Sequence, residues 1–171
     1  MQPERSEARL VEALVREHAA YVGRALRYLG VPPADLPDAT QEVFLVAHRR
    51  RDDFDGRAPR AWLKAIAVRV ARNARRSVHR RREAGAEEAP ELVVAATQER
   101  NVERLERRAR AVALLEGLSD AQREVFVLHE VEQLTMKEVT AMLGIPLQTG
   151  YSRLRLARKR LTEALSEGEN A

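Results

Sequence analysis

The side chains of this sequence with the most to offer chemically are its arginines. Of 30 basic residues only Lys64, Lys137 and Lys159 are lysines. A guanidinium forks onto phosphate oxygens and base edges, and stacks on rings, in ways an ammonium does not. The arginines are also grouped: between Arg49 and Arg82 thirteen basic residues stand against Asp52, Asp53 and Asp55, and from Leu147 to Arg160 five stand with no acid. Blocks of this kind suit a polyanion such as nucleic acid, although a GC-rich genome would raise arginine usage with no function attached. Acid–base and metal chemistry are poorly provided for. His18, His48, His79 and His129 make no H-E-x-x-H or comparable spacing, and His129-Glu130 is followed by Val131, Glu132 and Gln133, so His129 reads as a surface residue. No enzyme, metal or cofactor is expected.

Composition sets the bounds on what could position these groups. With 171 residues, 44% of them apolar, the chain can fold as one medium domain or two small ones. It has no cysteine, so neither a disulfide framework nor a thiolate zinc site is available. No apolar run approaches the roughly 20 residues of a membrane span, and MQPERSEARL has no apolar signal core. The expectation is a cytoplasmic protein without membrane insertion.

Apolar residues recur at three- and four-residue spacing with no convincing alternation, which predicts an all-α fold. A first helix runs from about Glu7 to Leu29 with Leu10, Leu14, Tyr21, Ala25 and Tyr28 near one face, and Gly30, Pro32 and Pro33 end it. The second runs from about Ala34 to Arg50. Its wheel sets Leu36, Ala39, Val43, Val46 and Ala47 inward and Asp38, Gln41, Glu42, Leu45 and Arg49 outward; an exposed Leu45 among polar neighbours either docks a partner helix or is a stray surface leucine. After the turn RDDFDGRAP, Pro59 opens a third helix to about Arg82. There Leu63, Ile66, Ala67, Val70 and Ala74 form an apolar stripe, with Arg69, Arg72, Arg76 and Arg80 opposite and Trp62 and Asn73 flanking. Arginines beside an aromatic suit single-stranded DNA; Trp62 equally suits a half-buried place in the core.

Residues 83–100, rich in Gly, Pro and Glu without a clean period, read as a linker between two small helical domains. Beyond it Asn101 to Glu116 is helical, with Val102, Leu105, Ala109 and Val112 in register. Ser119 with Gln122 and Thr135 with Glu138 have capping-box spacing. From Thr135, TMKEVTAMLGIPLQTGYSRLRLARKRL is helix, glycine turn, then basic helix, the plan of a helix-turn-helix. Val139, Leu143, Ile145, Leu154, Ala157 and Leu161 supply its apolar contacts, and Tyr151, Ser152, Arg155, Arg158 and Lys159 fall largely away from them. Such a helix fits a major groove.

D-A-T-Q-E-V-F at Asp38 to Phe44, the Phe-Asp-Gly loop, A-W-L at Ala61 to Leu63, and L-S-D-A-Q-R-E-V-F ahead of the helix-turn-helix resemble the extracytoplasmic-function group of bacterial RNA polymerase sigma factors. The resemblance spans about residues 7 to 82 and 105 to 165. It implies a promoter-reading subunit with a region 2-like domain at 1–82, a linker at 83–100 and a region 4-like domain at 101–171. Asp38, Gln41, Glu42, Leu45 and Arg49 would meet the clamp helices of the polymerase largest subunit, and the beta flap would be a further contact. The loop from Asp52 to Ala58 would capture a flipped-out minus-10 base, flipping costing about a few kcal/mol. Asp53, Phe54, Arg57, Arg60, Trp62, Arg69, Arg72, Asn73 and Arg76 would lie along that element. At the duplex minus-35 element Tyr151, Ser152 and Arg155 would touch bases, and Thr149, Arg153 and Arg158 phosphates, with Gln148 and Lys159 beside them. An anti-sigma partner occupying both domains is implied as well.

The chain departs from the family pattern in places. Val68 and Arg69 replace Arg-Asn, Asn73 replaces Asp, Tyr151 replaces a long cation, and Gly150 replaces an apolar residue. Gly150 removes a core contact and costs about 1 kcal/mol of helix propensity relative to Ala, so a locally loose recognition helix is expected; Tyr151 implies a different minus-35 preference. The alternative is a stand-alone helix-turn-helix regulator that senses with its N-terminal bundle, which would need neither a basic third helix nor an exposed D-x-x-Q-E face. A membrane-surface role is disfavoured because the aliphatic face of helix three is needed for the core.

Overall fold

Three- and four-residue apolar spacing produces helices in both halves of the chain. The computed structural model describes residues 3–85 and 99–169, and among the described residues there is no strand. The chain divides into two compact units, Met1–Arg27 with Val31–Leu92, and Tyr28–Gly30 with Val93–Ala171.

The first unit is built on α1 (Pro3–Tyr28), α2 (Leu36–Arg49) and α3 (Pro59–Glu83). Leu14, Val22, Ala25 and Leu26 of α1, Ala39, Val43, Phe44 and Ala47 of α2, and Leu63, Ile66, Ala67 and Val70 of α3 are buried. Fully burying a Val, Leu, Ile or Phe side chain contributes about 1.5–3 kcal/mol. Tyr21 and Tyr28 are only half-buried, and Leu36 and Val46 likewise; the side chain of Leu10 lies outside the described residues. α2 starts two residues later than its spacing suggested because Pro33–Asp35 closes as a 3-10 turn. Pro37 then sits in the first turn of α2, where its missing N–H has no intrahelical acceptor to lose. The buried face of α3 is wider than the stripe read from sequence, since Val68, Ala71 and Lys64 join it, while Ala74 is half-buried.

The second unit comprises α4 (Glu99–Glu116), α5 (Asp120–Phe126), a π-helical turn (Val127–Val131), α6 (Met136–Leu143) and α7 (Leu147–Glu169). Glu83 closes α3 and Glu99 opens α4, so both ends of the expected linker are helical; residues 86–98 lie outside the described residues. Val102, Leu105 and Ala109 share a line with Val112 but lie exposed. Residues 102–110 are all exposed, and α4 packs through Val112 and Leu115 near its C-terminus.

Both capping boxes form. Ser119 Oγ accepts from Gln122 N at 3.4 Å while Ser119 N donates to Gln122 Oε1 at 3.2 Å. Thr135 Oγ1 accepts from Glu138 N at 3.3 Å while Thr135 N donates to Glu138 Oε2 at 2.8 Å. Gly144 ends α6 in the left-handed region at φ 67°, and Ile145 N reaches back to Thr140 O at 3.1 Å, closing the helix as a left-handed terminus requires. The second helix of the motif starts three residues later.

Candidate functional site

α2 turns Asp38, Gln41, Glu42, Leu45 and Arg49 to solvent while Ala39, Val43 and Ala47 are buried. Leu45 is 47% exposed. Arg49 Nη2 donates to Glu42 Oε1 at 2.8 Å across two turns, an exposed pair worth less than about 1 kcal/mol and so easily exchanged for a partner's charges. The helix therefore presents one apolar anchor inside a polar frame. Beside it α2 and α3 border a cleft of about 690 Å³ whose lining includes Asp38, Glu42, Arg69, Asn73 and Arg80.

That lining corrects the expected position of two of the four stripe arginines. Arg69 and Arg80 share the cleft with Ile66, Val70 and Ala74 instead of standing opposite them. At about 100° per residue, Arg80 and Arg69 fall within about 60° of Ile66, whereas Arg76 and Arg72 lie farther round the helix. Arg69, Asn73 and Arg76 are exposed and Arg72 is half-buried; Arg76 Nη2 donates to Asn73 Oδ1 at 2.7 Å. Arg81, which carried no signal in the sequence, bonds Asp35 Oδ2 at 2.7 Å and ties the end of α3 to the turn before α2. Its charge matched those around it, and its partner is 46 residues away.

Between α2 and α3 the chain makes a 3-10 turn over Arg51–Asp53 and reaches Phe54 in extended conformation. Phe54 stacks on Trp62 with ring centroids 4.7 Å apart at 20°, and both rings are half-buried. One face of Trp62 is thus taken by this chain, which favours its reading as a half-buried aromatic. Asp53 accepts from Arg50 Nε at 2.9 Å, and Arg57 N donates to Asp55 Oδ1 at 2.8 Å. Ala58 closes the loop in the left-handed region at φ 45°, a conformation costing a non-glycine residue about 1–2 kcal/mol. An aromatic pair returns about 0.5–1.5 kcal/mol, so the two effects are of similar size and opposite sign. Arg60 sits over the Tyr21 ring at 5.3 Å.

On α7 the buried positions are Gly150, Leu154 and Ala157, with Leu161 half-buried. Gln148, Tyr151, Ser152, Arg155, Arg158 and Lys159 are exposed, and Thr149 and Arg153 are half-buried. Leaving outward in successive turns, Tyr151, Ser152 and Arg155 form a face that a groove could meet. Arg158 is engaged: Nε donates to Glu130 Oε1 at 3.0 Å and Nη2 bonds the same oxygen. Lys159 Nζ lies 3.7 Å from Glu163 Oε1. Gly150 overturns the expectation of looseness, because a Cβ there would lie 2.6 Å from Thr140 Cγ2 and 2.7 Å from Met136 Sδ. The residue is small where two helices touch.

Two further residues fix the ends of α5 and the turn after it without having been legible as such. Arg123 is buried, and Nε donates to Leu115 O at 2.9 Å while Nη2 donates to Glu116 O and Leu118 O, both at 3.3 Å. A guanidinium thereby ties α5 to carbonyls at and just beyond the end of α4, where a helix leaves acceptors to be filled. His129, read as a surface residue, is half-buried, with Nδ1 2.8 Å from Leu134 O; its N–H donates to that carbonyl and closes the wide turn ahead of α6. No group of three or more His, Cys, Asp or Glu that could hold a metal ion occurs among the described residues.

Comparison with known proteins follows the same division. The Sigma-70 region 2 family matches residues 14–82 and the Sigma-70, region 4 family matches residues 108–161. The chain is 31% identical over 166 residues to RNA polymerase sigma factor CnrH of Cupriavidus metallidurans, covering 89% of this chain and 84% of that protein. It is 32% identical over 139 residues to the ECF RNA polymerase sigma-E factor of Escherichia coli, covering 75% and 73%. The solved structure of CnrH in complex with the cytosolic domain of CnrY superposes with TM-score 0.64 at 29% identity, covering 94% of this chain and 90% of that one. The sigma factor RpoE crystallised with the anti-sigma factor NepR from Bartonella quintana shares the fold, with TM-score 0.67 at 22% identity and 91% and 96% coverage. Two promoter-factor regions in the right order, on helices whose exposed faces suit a protein partner and DNA, place this chain in the extracytoplasmic-function family of RNA polymerase sigma factors, the subunits that direct promoter-specific transcription initiation.

Proposed function

We propose that residues 1–82 dock on core polymerase and read the minus-10 element, that residues 101–171 read the minus-35 element, and that residues 83–100 tether the two. Asp38, Gln41, Glu42, Leu45 and Arg49 meet the clamp helices of the largest subunit, with Leu45 as anchor, and the second domain contacts the beta flap. Asp53, Phe54, Arg57 and Arg60 line the capture site for an extruded minus-10 base. Trp62, Arg69, Arg72, Asn73 and Arg76 follow the melted strand. At minus-35, Tyr151, Ser152 and Arg155 read base edges, while Gln148, Thr149, Arg153, Arg158 and Lys159 hold backbone; phosphate contacts set register and affinity, and base edges choose sequence. Phosphodiester chemistry belongs to the core.

The observation that carries this reading is the conjunction, in one chain, of an exposed Leu45 face on α2 and an α7 that turns Tyr151, Ser152 and Arg155 outward. No helix among the described residues is long and apolar enough to cross a membrane, and we place the protein in the cytoplasm, beside the polymerase. An anti-sigma factor that covers both domains completes the proposal; the relative CnrH was solved in complex with the cytosolic domain of CnrY.

Run-off transcription with bacterial core polymerase, this protein and a genomic fragment library tests it. Dependent transcripts sharing two spaced upstream elements are expected. No dependence, together with no co-elution with core, would leave a stand-alone regulator as the better reading.

A further inference from the structure

α7 carries a glycine on its inner face, within its first turn. Gly150 N donates to Pro146 O at 3.1 Å, and the residue is buried. The 2.6 Å and 2.7 Å that would separate its Cβ from Thr140 Cγ2 and Met136 Sδ fall far inside ordinary carbon contact at about 3.5–4.0 Å. Neither wall is slack. Thr140 is 6% exposed, and its Oγ1 donates to Met136 O at 2.9 Å, which holds the β-branched side chain with Cγ2 toward Gly150. Met136 is 3% exposed, although a thioether chain adapts more readily, so Thr140 is the firmer of the two.

The backbone of α7 therefore rests directly on α6 at the turn from which Tyr151 and Ser152 project. A methyl group at position 150 would have to displace that turn by about 1 Å to restore normal contact, whereas recognition geometry is held within about 0.5 Å. Glycine is a poor residue inside a helix; close approach is what this position gains from it. We infer that Gly150 is a positioning residue for minus-35 recognition, setting the depth and tilt at which Tyr151 and Ser152 meet base edges, an inference that rests on the proposed reading of α7 as the minus-35 helix.

The test uses holoenzyme reconstituted from core polymerase and the full chain. Initiation is measured on a promoter found by run-off transcription and on versions with single-base substitutions in its minus-35 element, for the wild type, Gly150→Ala, Thr140→Ser and the two combined. The readout is the ratio of cognate to substituted promoters. Gly150→Ala should lower this ratio about tenfold, the scale of one good base contact, and change which substitutions are tolerated. Thr140→Ser removes Cγ2 and keeps the hydroxyl bond to Met136 O, so combining it with Gly150→Ala should restore most of the ratio. An unchanged ratio in folded Gly150→Ala, or a double variant no better than the single, would overturn the inference. Thermal unfolding is followed alongside. If only the double variant folds, a ratio near wild type supports the inference and a collapsed one overturns it; if neither folds, Gly150 serves folding and not positioning. A wild-type holoenzyme indifferent to every minus-35 substitution would instead remove the reading of α7 itself.

Discussion

Arg155 and Arg158 stand one turn apart on α7 in different surroundings. Arg155 is exposed and makes no ion pair with any described residue, so its fork is available to a base edge. Arg155→Ala should weaken binding by about 1–3 kcal/mol on promoters carrying the preferred base and much less on others, as read by competition binding of holoenzyme; an equal loss on all promoters would make it a phosphate clamp. Arg158 must leave Glu130 before it can hold a phosphate. Glu130→Gln removes the competing carboxylate and a negative charge from the approach to DNA. It should tighten binding to all sequences alike and steepen the salt dependence by about one counterion, measured as affinity against salt concentration. A fall in affinity would show that the Glu130 contact aims Arg158 and does not sequester it. Farther from DNA, Ser119→Ala should cost about 1 kcal/mol in thermal or denaturant unfolding, because the hydroxyl that accepts from Gln122 N at the start of α5 is lost.

On the scale of a helix, α2 gives the sharpest separation of fold from function, since its inner residues Ala39, Val43 and Ala47 are buried and Leu45 points away. Leu45→Asp should abolish co-elution with core polymerase and leave circular dichroism and thermal unfolding essentially unchanged; unfolding would place Leu45 in the core. This face was legible from a helical wheel because both its sides are local. The helices, both capping boxes and the Gly144 turn were legible for the same reason: each depends on residues within a turn or two. Three-dimensional cover was not. The wheel correctly set Val102, Leu105 and Ala109 in one line with Val112, but a shared line says nothing about whether another element lies over it, and only Val112 is buried there. The arginines of α3 were visible as a stripe, while the place of Arg69 and Arg80 beside α2 depended on a packing partner. The Phe54–Trp62 stack and the Arg81–Asp35 bond join residues brought together by the fold. The π-helical turn at Val127–Val131 adds a residue to a helical turn, for which propensity offers no cue. Gly150 was misread because helix propensity alone ranks a glycine as loss, and only the position of Thr140 and Met136 turns it into a fit.

A promoter read by two units of one chain depends on their connection as much as on either surface. Once one unit has engaged, the other searches a small volume, and its binding becomes effectively intramolecular. If residues 83–100 only tether the two units, as proposed, their length matters little: each doubling of a loop costs about 0.6 kcal/mol, less than the loss of a single base contact. A Gly-Ser insertion that doubles this stretch should therefore lower run-off transcription from a two-element promoter by about threefold, converting that energy at 1.4 kcal/mol per factor of ten. Cutting the chain there, with both halves supplied in equal amount, should lower it by about 10²–10⁴-fold, the range in which linkage alone raises avidity. The two changes leave every proposed contact residue in place, so their unequal outcome isolates tethering from recognition. Equal losses would mean that the stretch itself touches polymerase or DNA, and single substitutions from Glu87 to Gln98 would then locate the contact.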